Sequence, residues 1–270
     1  MHRCDLRHST QAANPGVSGQ QFVETRQRIM SDIFEFKQFR IRQDRCAMKV
    51  GTDGILLGAW CRESRGERGA DRILDIGTGT GLIALMLAQR NPNSMIDAVE
   101  IDTAACEQAA ENFRESTWSE RLHAIQGCVR EFRAEMRYTV IASNPPWFSN
   151  SLKSATASRN IARHDDGLSK IDLLAAVNRL LAPDGQFCTI LPTLAVREFM
   201  LLARDSGLSC HRSCEVRPTP KKPPTRHLLE FCRIHPPSTP EPESLTVETA
   251  IRHDYTADFR KLTREFYLRF

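Results

Sequence analysis

The chain has 270 residues, 41% hydrophobic and 26% charged, which suits one large domain or two small ones with a sizeable core and excludes global disorder. A net charge of only +4 excludes a uniformly basic nucleic-acid binder, so any such contact must come from local patches. Nine scattered cysteines, an N-terminus (Met1-His2-Arg3-Cys4-Asp5) without an apolar leader and no run of about eighteen apolar residues predict free thiols, a cytoplasmic protein and no membrane span.

Residues 1–31 are polar and read as a disordered extension, with Met30 as an alternative start. Residues 32–270 then read as a single domain. Within it, 32–62 form an N-terminal hairpin and helix, 72–235 a core, and 236–270 a C-terminal segment. Phe34–Ile41 alternates apolar and polar residues, which predicts an edge hairpin. Thr52 or Asp53 is placed to cap a short helix running to about Cys61, and the charged residues 62–71 form a linker.

From Arg72 onward strands and helices alternate. Strands are predicted over 73–76, 95–101, 122–126 and 140–143. Helices are predicted over 81–90 and 104–115. A polar loop covers 149–168 and a helix 171–181. After the tight turn Pro183-Asp184-Gly185 come a strand over 186–191 and a helix over 195–206. Two late strands, 210–217 and 227–234, flank the connector Pro218–Thr225. Ser244–Val247 adds a strand and 257–268 a short helix. This alternation means an α/β fold with a mostly parallel sheet, helices on both faces and an antiparallel hairpin at one edge.

Two stretches carry chemistry. The first is Asp75-Ile76-Gly77-Thr78-Gly79-Thr80-Gly81, a glycine turn between strand and helix, with Glu100 closing the next strand. The glycines let a ligand approach the backbone, and Glu100 is placed to accept from the ribose hydroxyls of a bound nucleoside. Spacing alone leaves a dinucleotide open, because Gly79, Gly81 and Ala84 fit its fingerprint. Asp75 favours a cationic ligand over a pyrophosphate.

The second is Asn144-Pro145-Pro146-Trp147, leaving the strand that ends at Ser143. The prolines remove backbone donors and leave carbonyl acceptors, Asn144 adds an amide, and Trp147 supplies a stacking face. Two acceptors and a flat plate suit a planar group bearing –NH2: adenine, cytosine or a carboxamide.

The Asp-x-Gly-x-Gly-x-Gly run resembles motif I of class I S-adenosylmethionine-dependent methyltransferases. With Glu100 and Asn144–Trp147 it looks like an amino-group methyltransferase of Rossmann-like fold. Phe36-Lys37-Gln38-Phe39, the block from Asp44 through Met48-Lys49-Val50-Gly51-Thr52-Asp53 to Trp60, and Phe266-Tyr267-Leu268 narrow this. From about Phe34 to the C-terminus the chain resembles the bacterial adenine-N6 methyltransferases of valine tRNA, which modify the adenosine immediately 3′ of the anticodon.

That resemblance implies S-adenosylmethionine as cofactor and the tRNA anticodon loop as partner, with no obligate protein partner. It implies that Asn144 and the Pro145 carbonyl hold the target amine, with Pro146 and Trp147 completing the motif. It places Lys49, Thr52, Asp53, Asp75, Gly77, Gly79, Gly81, Glu100, Ile101, Cys128 and Asn144 around the cofactor, with the Lys49–Asp53 segment closing over it. Cys128 stands where many relatives have an acid, and a thiol is a weak acceptor. Trp147 replaces the commoner Tyr or Phe.

Candidate RNA contacts are Lys153, Arg159, Arg163 and His164 after the motif, and Arg217, Lys221, Lys222, Arg226 and His227 around the Pro-rich connector. Cys210, His211 and Cys214 hint at zinc, but Cys210 and Cys214 would face opposite to His211 on a strand, so buried thiols and no metal are expected. Asp165 and Asp166, being adjacent, diverge and read as polar loop. Three alternatives keep parts of the pattern: a glutamine-N5 protein methyltransferase, an NAD(P)-dependent oxidoreductase, and a non-catalytic RNA-binding module.

Overall fold

A computed structural model describes residues 32–63, 71–146, 168–233 and 241–269. Ten strands and six α-helices are formed among them. The expected extension 1–31, most of the 62–71 linker and nearly all of the 149–168 loop, with Asp165 and Asp166, lie outside the described residues.

β1 (Ile33–Glu35) and β2 (Arg40–Arg42) make an antiparallel hairpin separate from the main sheet. α1 (Thr52–Trp60) follows, buried from Gly54 to Trp60. Its N-cap is Gly51, with no side-chain cap, which corrects the expectation for Thr52 and Asp53. Asp53 instead pairs with Arg226 at 2.8 Å. A helix apolar on every side must be covered on every side. α1 lies close against α2 (Leu82–Arg90), because a Cβ on Gly58 would stand only 2.7 Å from Met86 Sδ.

The remaining strands are β3 (Arg72–Ile76), β4 (Met95–Glu100), β5 (Leu122–Gln126), β6 (Tyr138–Ser143), β7 (Leu181–Pro192), β8 (Ser209–Arg217), β9 (Arg226–Cys232) and β10 (Glu243–Thr246). They form one eight-stranded sheet in the order β10-β8-β9-β7-β6-β3-β4-β5. Every neighbouring pair is parallel except those that β9 makes with β7 and β8. The β8–β9 antiparallel pair lies toward one edge, and β10 covers it. The turn expected at Pro183–Gly185 is absorbed into β7, where the pairing with β6 shifts between Tyr138 and Val140.

α3 (Thr103–Arg114) is capped by Asp102, α4 (Lys170–Leu180) by Ser169 and α6 (Ala257–Thr263) by Thr256. These are the short polar side chains that satisfy orphan N–H groups at helix starts. α5 (Thr193–Asp205) starts from Pro192. α6 ends earlier than expected, and Phe266 N–H then bonds back to the Thr263 carbonyl at 2.9 Å.

The core has two halves, one on each face of the sheet. One gathers α1, α2, the hairpin and the C-terminal Phe259 and Phe266; the other gathers α4 and α5. The pairing of β8 with β9 slips between Cys210 and Arg212, so His211 is bulged. A bulge reverses the alternation of faces. Cys210 therefore packs with the α4–α5 half and Cys214 with the other, against the expectation that they share a face. Burial pushes these thiols up to about 11 and about 12.

Candidate active site

Parallel strands deliver their C-terminal ends to one side of a sheet, where ligands bind in this class of fold. Here β3, β4, β5 and β6 lead into the Gly77–Gly81 turn, Glu100, Gly127-Cys128 and Asn144-Pro145-Pro146 respectively. The residues expected to hold a ligand and those expected to hold an amine thus sit on adjacent strand ends.

The glycine turn is fixed from beneath. Gly77 N–H donates to the Val99 carbonyl at 2.8 Å and Gly81 N–H to the Thr78 carbonyl at 2.9 Å. Gly81, at φ 84°, is in the left-handed region, and α2 begins immediately after it. A Cβ on Gly77 or Gly79 would meet no described residue within 4 Å, so among the described residues the face of this turn is open to an approaching group.

Glu100 stands across the turn. Its Oε2 accepts the Gly79 amide at 2.9 Å, and its Oε1 accepts those of Ile101 and Asp102 at 2.9 and 3.0 Å. Three backbone donors fix the carboxylate while its spare lone pairs remain available. Ile101, next to it, is 63% exposed, an uncovered apolar side chain at the rim.

Asp75 is fully buried at the floor, where its Oδ2 accepts the Thr78 hydroxyl at 2.6 Å. Burial pushes its carboxyl up to about 7, against the pull of Thr78 and the Ala84 amide, with Glu100 adding a further push. A cation nearby would reverse that push.

The segment entering α1 is tied to α3 by two buried amides that sequence reasoning missed. Gln108 Oε1 accepts the Arg45 amide at 2.9 Å. Asn112 Oδ1 accepts the Arg42 amide, and its Nδ2 donates to the carbonyls of Arg42 and Thr80 at 2.9 and 2.8 Å. Asn112 therefore links this segment to the glycine turn itself. The available signal was a pair of amides four residues apart on the apolar face of an amphipathic helix.

Cys46 lies over the same region. Burial first, and then the carboxylates of Glu100, Asp102 and Asp44, raise its thiol to about 11. Lys49 and Asp53 have protein partners: Lys49 Nζ reaches Asp32 at 3.1 Å, and Asp53 is held by Arg226. Thr52 is exposed. Of these three, none is directed at the glycine turn by a hydrogen bond among the described residues.

Cys128 is half-buried at the end of β5 and accepts the Arg130 Nε–H at 3.3 Å; Arg130 also reaches Asp172 at 3.4 Å. On β6, Ser143 Oγ donates to the Ile76 carbonyl at 2.9 Å, locking the strand end to β3. Asn144 is half-buried, Pro145 buried and Pro146 exposed. Trp147, Lys153, Arg159, Arg163 and His164 lie outside the described residues.

On the connector, Lys221 and Lys222 are exposed. Arg226 and Arg217 are engaged, the latter with Glu215 at 3.1 Å, and burial lowers the His227 pKa. No described helix is long and apolar enough to cross a membrane.

Residues 63–190 match the family model described as the methyltransferase small domain. A tRNA1(Val) (adenine(37)-N6)-methyltransferase of Parabacteroides distasonis is 44% identical over 238 residues, covering 87% of this chain and 98% of the relative. The protein of the same name from Trichodesmium erythraeum is 46% identical over 241 residues, covering 88% and 98%. A crystal structure described as a predicted O-methyltransferase from Agrobacterium tumefaciens superposes with TM-score 0.58 at 17% identity, over 79% of this chain and 96% of its own. It bears on the fold alone.

Proposed function

The chain belongs to the tRNA1(Val) (adenine(37)-N6)-methyltransferase family, and on that premise we propose that it methylates the exocyclic N6 of an adenosine in tRNA, the one 3′ of the anticodon in valine tRNA. S-adenosylmethionine, when bound, supplies a methyl group activated on a sulfonium sulfur. The observation that carries this reading is adjacency: the amine-accepting motif leaves β6 beside β3, whose end carries the open glycine turn.

The residues present fit that cofactor. The open face over Gly77 and Gly79 admits a ligand to the backbone, and Glu100 is fixed with free lone pairs for ribose hydroxyls. Ile101 offers an apolar surface, and Asp75 is a buried carboxyl that a cationic ligand would favour in its charged form. A pyrophosphate would face two acids here, which disfavours the dinucleotide alternative. Cys128 has no carboxylate to offer, so contact with the cofactor's adenine would be weaker there.

Asn144 Oδ1 and the Pro145 carbonyl would accept the two N–H groups of the target amine. Adenine N6 is a poor nucleophile because its lone pair is delocalised into the ring. Two acceptors draw the nitrogen toward tetrahedral geometry and aim its lone pair. No strong base is required, since the methylated ammonium is acidic and releases its proton to water. Orientation and fixed dipoles do the work. Trp147 would stack on the base, and Pro146 fixes the turn between them.

Residues 32–62 and 236–270 would act with the 72–235 core as one catalytic unit, working in the cytoplasm where tRNA is processed. The relatives above act, by their names, on tRNA, which sets aside a protein glutamine as substrate. Transfer of labelled methyl to unmodified tRNA, with identification of the labelled nucleoside, tests the reading. N6-methyladenosine is the expected product.

A further inference from the structure

We propose that the Pro218–Thr225 connector and the start of α5 form a cationic wall beside Asn144 that docks the tRNA backbone next to the extruded adenosine. The proposal rests on the tRNA reading above and deepens it by assigning the surface that takes the phosphates.

The wall follows from where strands stop. β6 ends at Ser143 because the prolines that follow Asn144 have no N–H to continue a ladder. Its partner on β7 at that level is Thr189. β7 runs on through Ile190, Leu191 and Pro192, still paired with Leu228, His227 and Arg226 of β9, which in turn pair with Cys214, Glu215 and Val216 of β8. Three more residues of strand rise about 10 Å above the level at which Asn144 leaves the sheet. Since β9 lies two strands from β6, the wall stands roughly 10 Å to the side. Among the described residues, the result is a step beside Asn144 with a raised flank.

The crest of that flank is stiff. Four of the eight connector residues are proline, each with fixed φ. Lys222 N–H donates to the Thr219 carbonyl at 3.1 Å and Thr225 N–H to the Val216 carbonyl at 2.9 Å. Thr193, the first residue of α5, ties the connector to the helix: its hydroxyl donates to the Pro224 carbonyl at 2.8 Å and its amide to the Thr225 carbonyl at 3.2 Å. Ordering this crest on binding costs little entropy, because it is already ordered.

Among the described residues, three cations at the crest have no acidic partner. Lys221, Lys222 and Arg197 are exposed and form no ion pair with any described residue. Among the described acids nearby, Glu215 pairs with Arg217, Asp53 with Arg226 and Glu198 with Lys170, while Glu248, whose amide donates to the Pro218 carbonyl at 2.9 Å, has His253 3.8 Å from its carboxylate. Arg197 lies one turn beyond Thr193 on the same helix face. Leu194, 96% exposed, is on the first turn of α5, next to Thr193. Exposed cations and an apolar side chain, on a rigid loop and helix start beside an amine-accepting site, suit a single-stranded nucleic-acid loop. Arg226, by contrast, acts as a strut: its bond to Asp53 fixes the wall to the N-terminal end of α1.

The test compares the full-length protein with the Lys221→Gln/Lys222→Gln and Arg197→Gln variants. Direct binding to unmodified tRNA is measured from low to moderate salt, alongside methyl transfer and cofactor affinity. All three side chains are exposed, so folding should be unaffected, and unchanged cofactor affinity checks this. The proposal predicts at least tenfold weaker tRNA binding for the lysine pair, a salt slope reduced by roughly 0.7 to 0.9 per lost phosphate contact, and a kcat at saturating tRNA within about twofold of wild type. Leu194→Ser should weaken binding without changing the slope. Methylation of tRNA with unchanged affinity and slope in the lysine variant would overturn the wall while leaving the activity standing. Lysine-dependent tRNA binding without methyl transfer would support the wall and remove the activity. Absence of any tRNA binding would remove both.

Discussion

Glu100 Oε2 accepts the backbone N–H of Gly79 at 2.9 Å, so the acid at the end of β4 and the glycine turn after β3 form one rigid cradle. Glu100→Gln keeps the shape but turns one of the acceptors into a donor facing backbone N–H groups. Hydrogen bonds to charged groups contribute about 1.5–3 kcal/mol, so S-adenosylmethionine affinity should fall by roughly 10- to 100-fold. Titration calorimetry reads this directly, and an unchanged Kd would remove Glu100 from the cofactor site.

Asp75 gives a pH signature. Its folded-state carboxyl is raised to about 7 from an ordinary value of 3.8. The folded state therefore holds this proton more tightly than the unfolded chain. Its contribution to stability is fully present below the unfolded pKa and is lost as pH rises through about 7. Asp75→Asn lacks that loss, so its stability relative to wild type should grow between pH 5 and pH 7 and level off above. Parallel thermal melts of the two proteins across this range check the sign. Cofactor affinity should move the other way, with the variant binding more weakly at pH 8.

Gly81 and Gly77 separate strain from ligand contact. Gly81 has φ 84°, and a Cβ there would stand 2.5 Å from Phe113 Cε1. Left-handed strain costs about 1–2 kcal/mol and overpacking about 1–3 kcal/mol, so Gly81→Ala should melt roughly 5–15 °C lower. Gly77, at φ 72°, has no described residue within 4 Å of a Cβ, so Gly77→Ala carries strain alone. Its melting temperature should fall less, while cofactor binding weakens because the added methyl occupies the open face. Equal effects on stability would contradict this division.

The C-terminal segment holds the N-terminal hairpin in place. Lys37 N–H donates to the Phe266 carbonyl at 2.8 Å, and the Tyr267 ring lies 6.3 Å from that of Phe36. Phe266 is buried in the same core half as Phe36, Phe39 and Ile41. Phe266→Ala should cost about 3–5 kcal/mol. Hydrogen exchange should then speed up first over residues 33–50, with weaker cofactor binding as the segment above Glu100 loosens. Exchange that rises evenly across the sheet would argue against a local clamp.

The sheet was legible because each strand and helix carries its own periodicity. Tyr138–Ser143 and Leu122–Gln126 are short strand-like runs between turn signals, and the helices after Asp102 and Ser169 stand out by their apolar spacing. The glycine turn, Glu100 and Asn144 could be singled out as candidates for a different reason: their spacing is tied to chemistry. What was hidden is long-range or a matter of one residue. Asp53 looks like a helix cap until the fold brings Arg226 to it from β9, 173 residues further along the chain. The bulge at His211 leaves no mark in the composition of β8, yet it sends Cys210 and Cys214 to opposite faces. Gln108 and Asn112 are polar residues on an apolar helix face, and only their buried partners reveal their role.

The most direct test of the central claim uses methyl-labelled S-adenosylmethionine, unmodified bacterial tRNA, and wild type beside Asn144→Ala. Removing one preorganised acceptor from the reacting amine should lower kcat by roughly 10²–10³-fold, with cofactor affinity retained. Label in N6-methyladenosine that is lost in the variant, and that concentrates in valine tRNA on fractionation, is the predicted result. Cofactor binding by a folded wild-type protein with no label in any tRNA nucleoside, or an Asn144→Ala variant as active as wild type, would contradict it.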